Sequence, residues 1–216
     1  MSTPVIDCLY HWDPTDLDRI IEILRAGEVI VLPTDTVYGI GANAEDPDAV
    51  ARVLAAKGRG RQMPPPVLVA DAASIDALCI DVPEAARRLA DAHWPGALTL
   101  ILRARPDLGW DLGDTGGTIA LRMPDHPRTL ELLEQTGPLA VTSANLTGQA
   151  PATDIAQAID AFGETVAAYI DAGPTKGSTA STIIDLAHGA PRAIRTGALS
   201  LEELSATAGT DIPPAH

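Results

Sequence analysis

Lys57-Gly58-Arg59 and Ser143-Ala144-Asn145 are short polar clusters at the edges of apolar segments, one in each half of the chain. A third polar run, Pro33-Thr34-Asp35-Thr36-Val37-Tyr38-Gly39, follows the apolar Val29-Ile30-Val31-Leu32. Cations on a glycine-bearing turn can neutralise phosphate oxygens as charge shifts in a transition state, which suits Lys57 and Arg59 to nucleotide chemistry. Taken together, the three runs point to a site that handles ATP. Positions 49–70 hold no acid, while Arg52, Lys57, Arg59 and Arg61 place four cations within ten residues. On a chain of net charge -14, such a positive spot fits a small polyanion; the competing reading is a solvated helix end. Arg122, directly after an apolar segment, has the planar fork to clamp a carboxylate, or else belongs to an ordinary surface salt bridge. Asp35, between two threonines, is read as a turn former in preference to a magnesium ligand.

The common nucleotide signatures do not account for these residues. Gly173-Pro174-Thr175-Lys176-Gly177-Ser178 has its lysine before the second glycine, which excludes a Walker-type loop, and no Gly-x-Gly-x-x-Gly opens a helix. The histidines at 11, 93, 126, 188 and 216 lack metal-ligand spacing. Ser143 has neither a Gly-x-Ser-x-Gly elbow nor a partnering base, which argues against serine-hydrolase chemistry.

The elements that must position these residues alternate along the chain. A helix capped by Thr15 and ended by Gly27 precedes a buried strand over 29–32. A second helix from Pro47 to Ala56 delivers Lys57 at its C-terminal end. Pro64-Pro65-Pro66 then stops the chain before a strand over 67–69. Further helices are expected at 83–93, 127–135 and 154–162 and from about Ser200. Strands are expected at 98–102, 118–121, 139–142, 168–171, 182–185 and 193–195. The pattern predicts an α/β fold in one domain, a twisted mixed sheet flanked by helices, because three late strands arrive with no helix between them. Ligands of open α/β sheets collect outside strand ends, and five such places qualify: 34–38, 57–61, Arg122, 142–145 and 176–182. The expected division is an N-terminal lead-in over 1–15, a catalytic domain over 16–204 and a frayed C-terminal tail over 205–216.

At 216 residues the chain can bury a full core without disulfides or structural metal. Its acidity and its one Phe, three Tyr and three Trp argue against a broad nucleic-acid surface built on stacked bases. Cys8 and Cys79 are too few for a disulfide framework, and no stretch approaches the apolar length of a membrane span, so a cytoplasmic protein without membrane association is expected.

Over about 16–204 the chain resembles the YrdC-like threonylcarbamoyl-adenylate synthase family. The resemblance rests on 33–39, Lys57-Gly58-Arg59, Trp94-Pro95-Gly96 with Leu98-Thr99, Arg122-Met123-Pro124, Thr142 to Gly148, and Ser181 to Asp185 followed by Arg195-Thr196-Gly197. It implies the single-domain form of the YrdC-like fold and an enzyme joining L-threonine, bicarbonate or CO2, and ATP into threonylcarbamoyl-AMP with release of pyrophosphate. That product serves N6-threonylcarbamoyladenosine formation at position 37 of tRNA through a separate transferase, and Mg2+ is expected with ATP. By the same resemblance, Lys57, Arg59, Ser143 and Asn145 form the catalytic tetrad. Thr36, Arg122, Thr142 and Ser181 hold threonine. Thr118, Ala144 and Arg195 join the tetrad in contacting the nucleotide, the alanine through its backbone. The family's proline after Lys-x-Arg, later Asn and occasional His are replaced here by Gly60-Arg61-Gln62-Met63-Pro64 and Leu68, with Arg61 or Gln62 the expected substitute contact to ATP. Two alternatives stand beside this reading: an RNA-binding module, and a relative that processes carbamoyl phosphate.

Overall fold

The computed structural model describes residues 3–214. Among them ten strands form one mixed sheet in the order β1-β8-β2-β3-β7-β4-β6-β5-β9-β10. The strands are β1 (Val5–Asp7), β2 (Ile30–Leu32), β3 (Gly39–Asn43), β4 (Val67–Leu68), β5 (Leu98–Arg103), β6 (Thr118–Arg122), β7 (Leu139–Ser143), β8 (Ala168–Asp171), β9 (Thr182–Asp185) and β10 (Arg192–Arg195). The helices are α1 (Pro14–Arg25), α2 (Pro47–Ala56), α3 (Ser74–Leu78), α4 (Glu84–His93), α5 (Pro127–Thr136), α6 (Ile155–Phe162) and α7 (Leu201–Ala208).

Side-chain alternation along the strands divides the core. In β2, Ile30 and Leu32 pack with Ile20, Leu24, Leu132 and Leu133 of α1 and α5, whereas Val31 faces the opposite side with Val53 of α2 and Phe162 of α6. A third cluster fills the other half of the sheet, where Leu98, Leu100 and Leu102 meet Leu89 of α4 and Leu204 of α7. Both faces are covered, which explains why the strands read as continuous apolar runs.

Several local expectations are corrected. Asp13, not Thr15, caps α1: its Oδ1 accepts from Thr15 N at 2.8 Å, and Pro14 fills the first helical position. Strand β3 was missed because its sequence, Gly-Ile-Gly-Ala-Asn, has neither β-branched density nor polar alternation. It forms because Gly39 and Gly41 let it lie against β7, where an added Cβ would meet Val141 carbons at 2.5 and 2.6 Å. The lead-in contains β1, which pairs parallel to β8. The tail is anchored as well, since Ile212 is buried and Pro213 O accepts from Ala193 N.

The sheet register fixes where each polar run enters or leaves a strand. Gly39 opens β3 opposite Ser143, which closes β7. Arg122 closes β6 beside Leu68 of β4. Strand β9 starts at Thr182 opposite Leu98 of β5, and β10 ends at Arg195 opposite Ile183. Strand β4 runs antiparallel to β7 and parallel to β6. Strands β2 and β7 therefore end where β3, β4 and β6 begin, while β6 and β10 end at the opposite edge, where β5 and β9 begin, so the polar residues are contributed from both edges of the sheet.

Candidate active site

A cavity of about 360 Å³ gathers residues from both edges of the sheet. Its wall carries three guanidinium groups, Arg59, Arg122 and Arg195, and a set of hydroxyls that includes Thr34, Thr36, Thr99, Thr142, Ser143 and Ser181. Apolar residues complete it, among them Leu68, Ile101, Leu112, Ile119 and Val141, with the half-exposed Met63 and Ile194 at its edge. A few polar groups converging in an apolar concavity is the usual form of a small-molecule site.

At one side Arg122 is buried and bonded through each of its three nitrogens. Its Nη2 meets Asp35 Oδ1 at 2.5 Å, its Nη1 donates to Thr36 Oγ1 at 3.0 Å and its Nε to Gly96 O at 3.0 Å. The surface-salt-bridge alternative is therefore corrected: the pair is internal, with the two side chains only 8% and 15% exposed. Asp35 acts as this counterion and also accepts from Asp125 N. A guanidinium has five N–H donors, so two remain after these bonds. Burial lowers the Arg122 pKa from its usual value, opposed by Asp35.

Arg195 donates to Ser181 O and Oγ, and Ser181 Oγ shares a hydrogen bond with Thr99 Oγ1. Arg59 donates to Thr142 Oγ1 at 3.0 Å, while its buried Nε has no partner. Burial lowers the pKa of both arginines, and Arg195 also feels the charges of Arg122 and Arg59. Three cations on one wall, with Asp35 as the carboxylate paired to one of them, make a cavity that favours anions.

Helix α2 positions the first cluster. Asp46 caps it by accepting from Asp48 N and Ala49 N, Pro47 starts it, and Lys57 sits at its C-cap ahead of Gly58 at φ +63°. The Lys57 side chain runs inward and is 1% exposed. Its Nζ donates to Ser143 O and Asn145 O, both at 2.5 Å, and to Asn145 Oδ1 at 3.1 Å. Burial and then Arg59 push its pKa down to about 7.

The expected site residues thus divide. Thr36, Arg59, Thr118, Arg122, Thr142, Ser143, Ser181 and Arg195 line the cavity. Lys57, Ala144 and Asn145 lie buried behind its wall. Ala144 has both backbone groups engaged, its N–H with Tyr38 O and its carbonyl with Ala152 N. Arg61 points elsewhere: its exposed guanidinium pairs with Asp111 at 2.7 Å and approaches Asp114 at 3.5 Å. Sequence reasoning named Thr99 in a motif without giving it a site role, and missed Thr115 and the apolar wall, residues that carry no signal until the sheet brings them together. Among the described residues no group of three or more His, Cys, Asp and Glu is placed to hold a metal ion.

These features define an α/β protein with a cationic, hydroxyl-rich cavity for a small anion, lined by strands of a mixed sheet. Its kinship follows from comparison: the Sua5_yciO_yrdC family model, described as telomere recombination, matches residues 22–197, and the chain belongs to this family. A Mycobacterium tuberculosis relative, provisionally named a threonylcarbamoyl-AMP synthase, is 47% identical over 213 residues, covering 97% of each chain. The Bacillus subtilis threonylcarbamoyl-AMP synthase is 40% identical over 95% of this chain and 60% of its own. Among solved structures, Pyrococcus abyssi Sua5 in complex with L-threonine superposes with a TM-score of 0.88 at 33% identity, over 98% of this chain and 62% of that one. E. coli YciO follows with 0.83 at 27% identity, over 94% and 100%.

Proposed function

We propose that this chain is a threonylcarbamoyl-AMP synthase, a nucleotidyltransferase that joins L-threonine, bicarbonate or CO2, and ATP into threonylcarbamoyl-AMP and pyrophosphate. The observation that carries the reading is one cavity lined by Thr36, Arg122, Thr142 and Ser181 together with Arg59, Thr118, Ser143 and Arg195. Relatives of nearly the same length bear the same activity in their names, and the related Sua5 structure holds L-threonine.

The chemistry fits the groups present. The threonine amine adds to CO2, giving a carbamate and a proton; a carbamate oxygen then attacks the α-phosphorus of ATP and pyrophosphate leaves. The two remaining Arg122 donors would take the threonine carboxylate, with Thr36, Thr142 and Ser181 lining the same cavity. Arg59, whose Nε lacks a protein partner, and Arg195 supply positive charge for the phosphates. Mg2+ would arrive with the nucleotide on its phosphate oxygens, because the neighbouring carboxylate, Asp35, is already held by Arg122 and Asp125 N. Apolar walls limit water, which protects a carbamate that water would otherwise destroy.

In the cell this reading places the protein in the cytoplasm, with residues 16–204 as the catalytic domain. Its product would pass to a separate transferase that modifies adenosine 37 of tRNA; any hold on tRNA itself is weak at a net charge of -14. The test is an incubation with L-threonine, bicarbonate and MgATP, coupled to pyrophosphatase, with mass spectrometry of the nucleotide product. Pyrophosphate release that needs both threonine and bicarbonate supports the reading, and release indifferent to threonine overturns it.

A further inference from the structure

The hydrogen bonds around Asn145 fix the direction of every proton in the second cluster. Asn145 Nδ2 donates to Leu146 O at 2.9 Å and Gln149 O at 3.0 Å, so the amide cannot be flipped without opposing two carbonyls. Its Oδ1 therefore faces Lys57 Nζ at 3.1 Å and Ser143 Oγ at 2.6 Å, and accepts from both. The Ser143 hydroxyl has a single proton, and Asn145 Oδ1 takes it. In its ammonium form Lys57 is used up in the same way: three N–H donors meet three oxygens, Ser143 O, Asn145 O and Asn145 Oδ1, and the residue is 1% exposed.

We propose that Lys57 is a positioning residue that does not touch the nucleotide, and that with Asn145 it holds Ser143 Oγ as a hydrogen-bond acceptor facing the cavity for the N–H of the amino-acid substrate. An acceptor oxygen repels phosphate oxygens and attracts a donor. Ser143 stands next to Thr142, which Arg59 holds, and across from Gly39 at the end of the Thr36 run. With the threonine carboxylate at Arg122 and the phosphates at Arg59, the amino nitrogen that carries the carbamate has to lie between them, in the cavity that Ser143 also lines. The identification of that donor rests on the function proposed above.

The experiment compares wild-type protein with Lys57→Met, Ser143→Ala, the double variant and Arg59→Ala. Binding of α,β-methylene-ATP with Mg2+ is measured without threonine, and kcat/KM for threonine is measured at saturating ATP. Lys57→Met and Ser143→Ala are expected to bind the analogue within threefold of wild type, whereas Arg59→Ala loses tenfold or more. Each of the first two loses at least 30-fold in kcat/KM for threonine, and the double variant loses no more than the worse single one, because the lysine acts through the serine. A loss of analogue affinity in Lys57→Met or Ser143→Ala matching that of Arg59→Ala overturns the proposal, as do losses that multiply in the double variant. Should Lys57→Met fail to fold, Lys57→Gln, which keeps two N–H donors, is held to the same outcomes. If wild-type protein makes no threonylcarbamoyl-AMP, the functional reading fails, while analogue binding still decides whether the lysine touches the nucleotide.

Discussion

At the scale of single residues, two buried cations show how burial separates structural from chemical duty. Arg122 and Asp35 form a desolvated pair, and removing one partner leaves the other charged and unsolvated, typically at roughly 3–5 kcal/mol. Arg122→Ala should therefore destabilise by about that amount in urea unfolding and weaken threonine at least tenfold in calorimetry. Changing Asp35 to Asn in the same chain should recover part of the stability but none of the affinity. Lys57 has no carboxylate partner and is held by carbonyl oxygens alone, with its pKa lowered to about 7. The unfolded lysine stays protonated to about pH 10.4, so between pH 7 and 10 the unfolded chain binds more protons and folded stability gains as pH rises. The stability difference between wild type and Lys57→Met should grow in favour of wild type from pH 7 to 9, by at most about 1.4 kcal/mol per pH unit. A flat difference in denaturation series across that range would mean that the carbonyls hold the ammonium protonated against its burial.

Elements carry the site through close backbone approach. Strand β3 lies so near β7 that a Cβ on Gly41 would meet Val141 Cγ2 at 2.6 Å and Ala140 O at 2.8 Å. The second contact is backbone and cannot swing away. Gly41→Ala should cost about 1–3 kcal/mol by thermal or denaturant unfolding, an overpacking cost, and should lower turnover by shifting Ser143 at the end of β7. Helix α2 was legible in the sequence because Asp46, Pro47 and the apolar spacing of its buried residues are local signals. Strand β3 was not, since its glycines gain their meaning only from Val141, about a hundred positions later.

For the molecule as a whole, the sheet covered on both faces leaves the two thiols inside. Cys8 and Cys79 are buried, and burial pushes both pKa values up to about 12. Thiolates are the reactive form, so neither cysteine should react with Ellman's reagent in native protein at pH 8 within the time that denatured protein takes to react fully. Rapid native labelling would show that the halves of the sheet open. The amino-acid sequence by itself determined the α/β class, most helices and strands, and the polar runs of the site, because periodicity, caps and motif order are short-range properties of the chain. Tertiary structure alone decided the duties within those runs. It turned Lys57, Ala144 and Asn145 behind the wall and Arg61 out to Asp111, tied Asp35 to Arg122, and completed the cavity with Thr99 and Leu112. Which way a side chain points, and which of its donors remain free, depends on partners that sheet pairing supplies from distant parts of the chain.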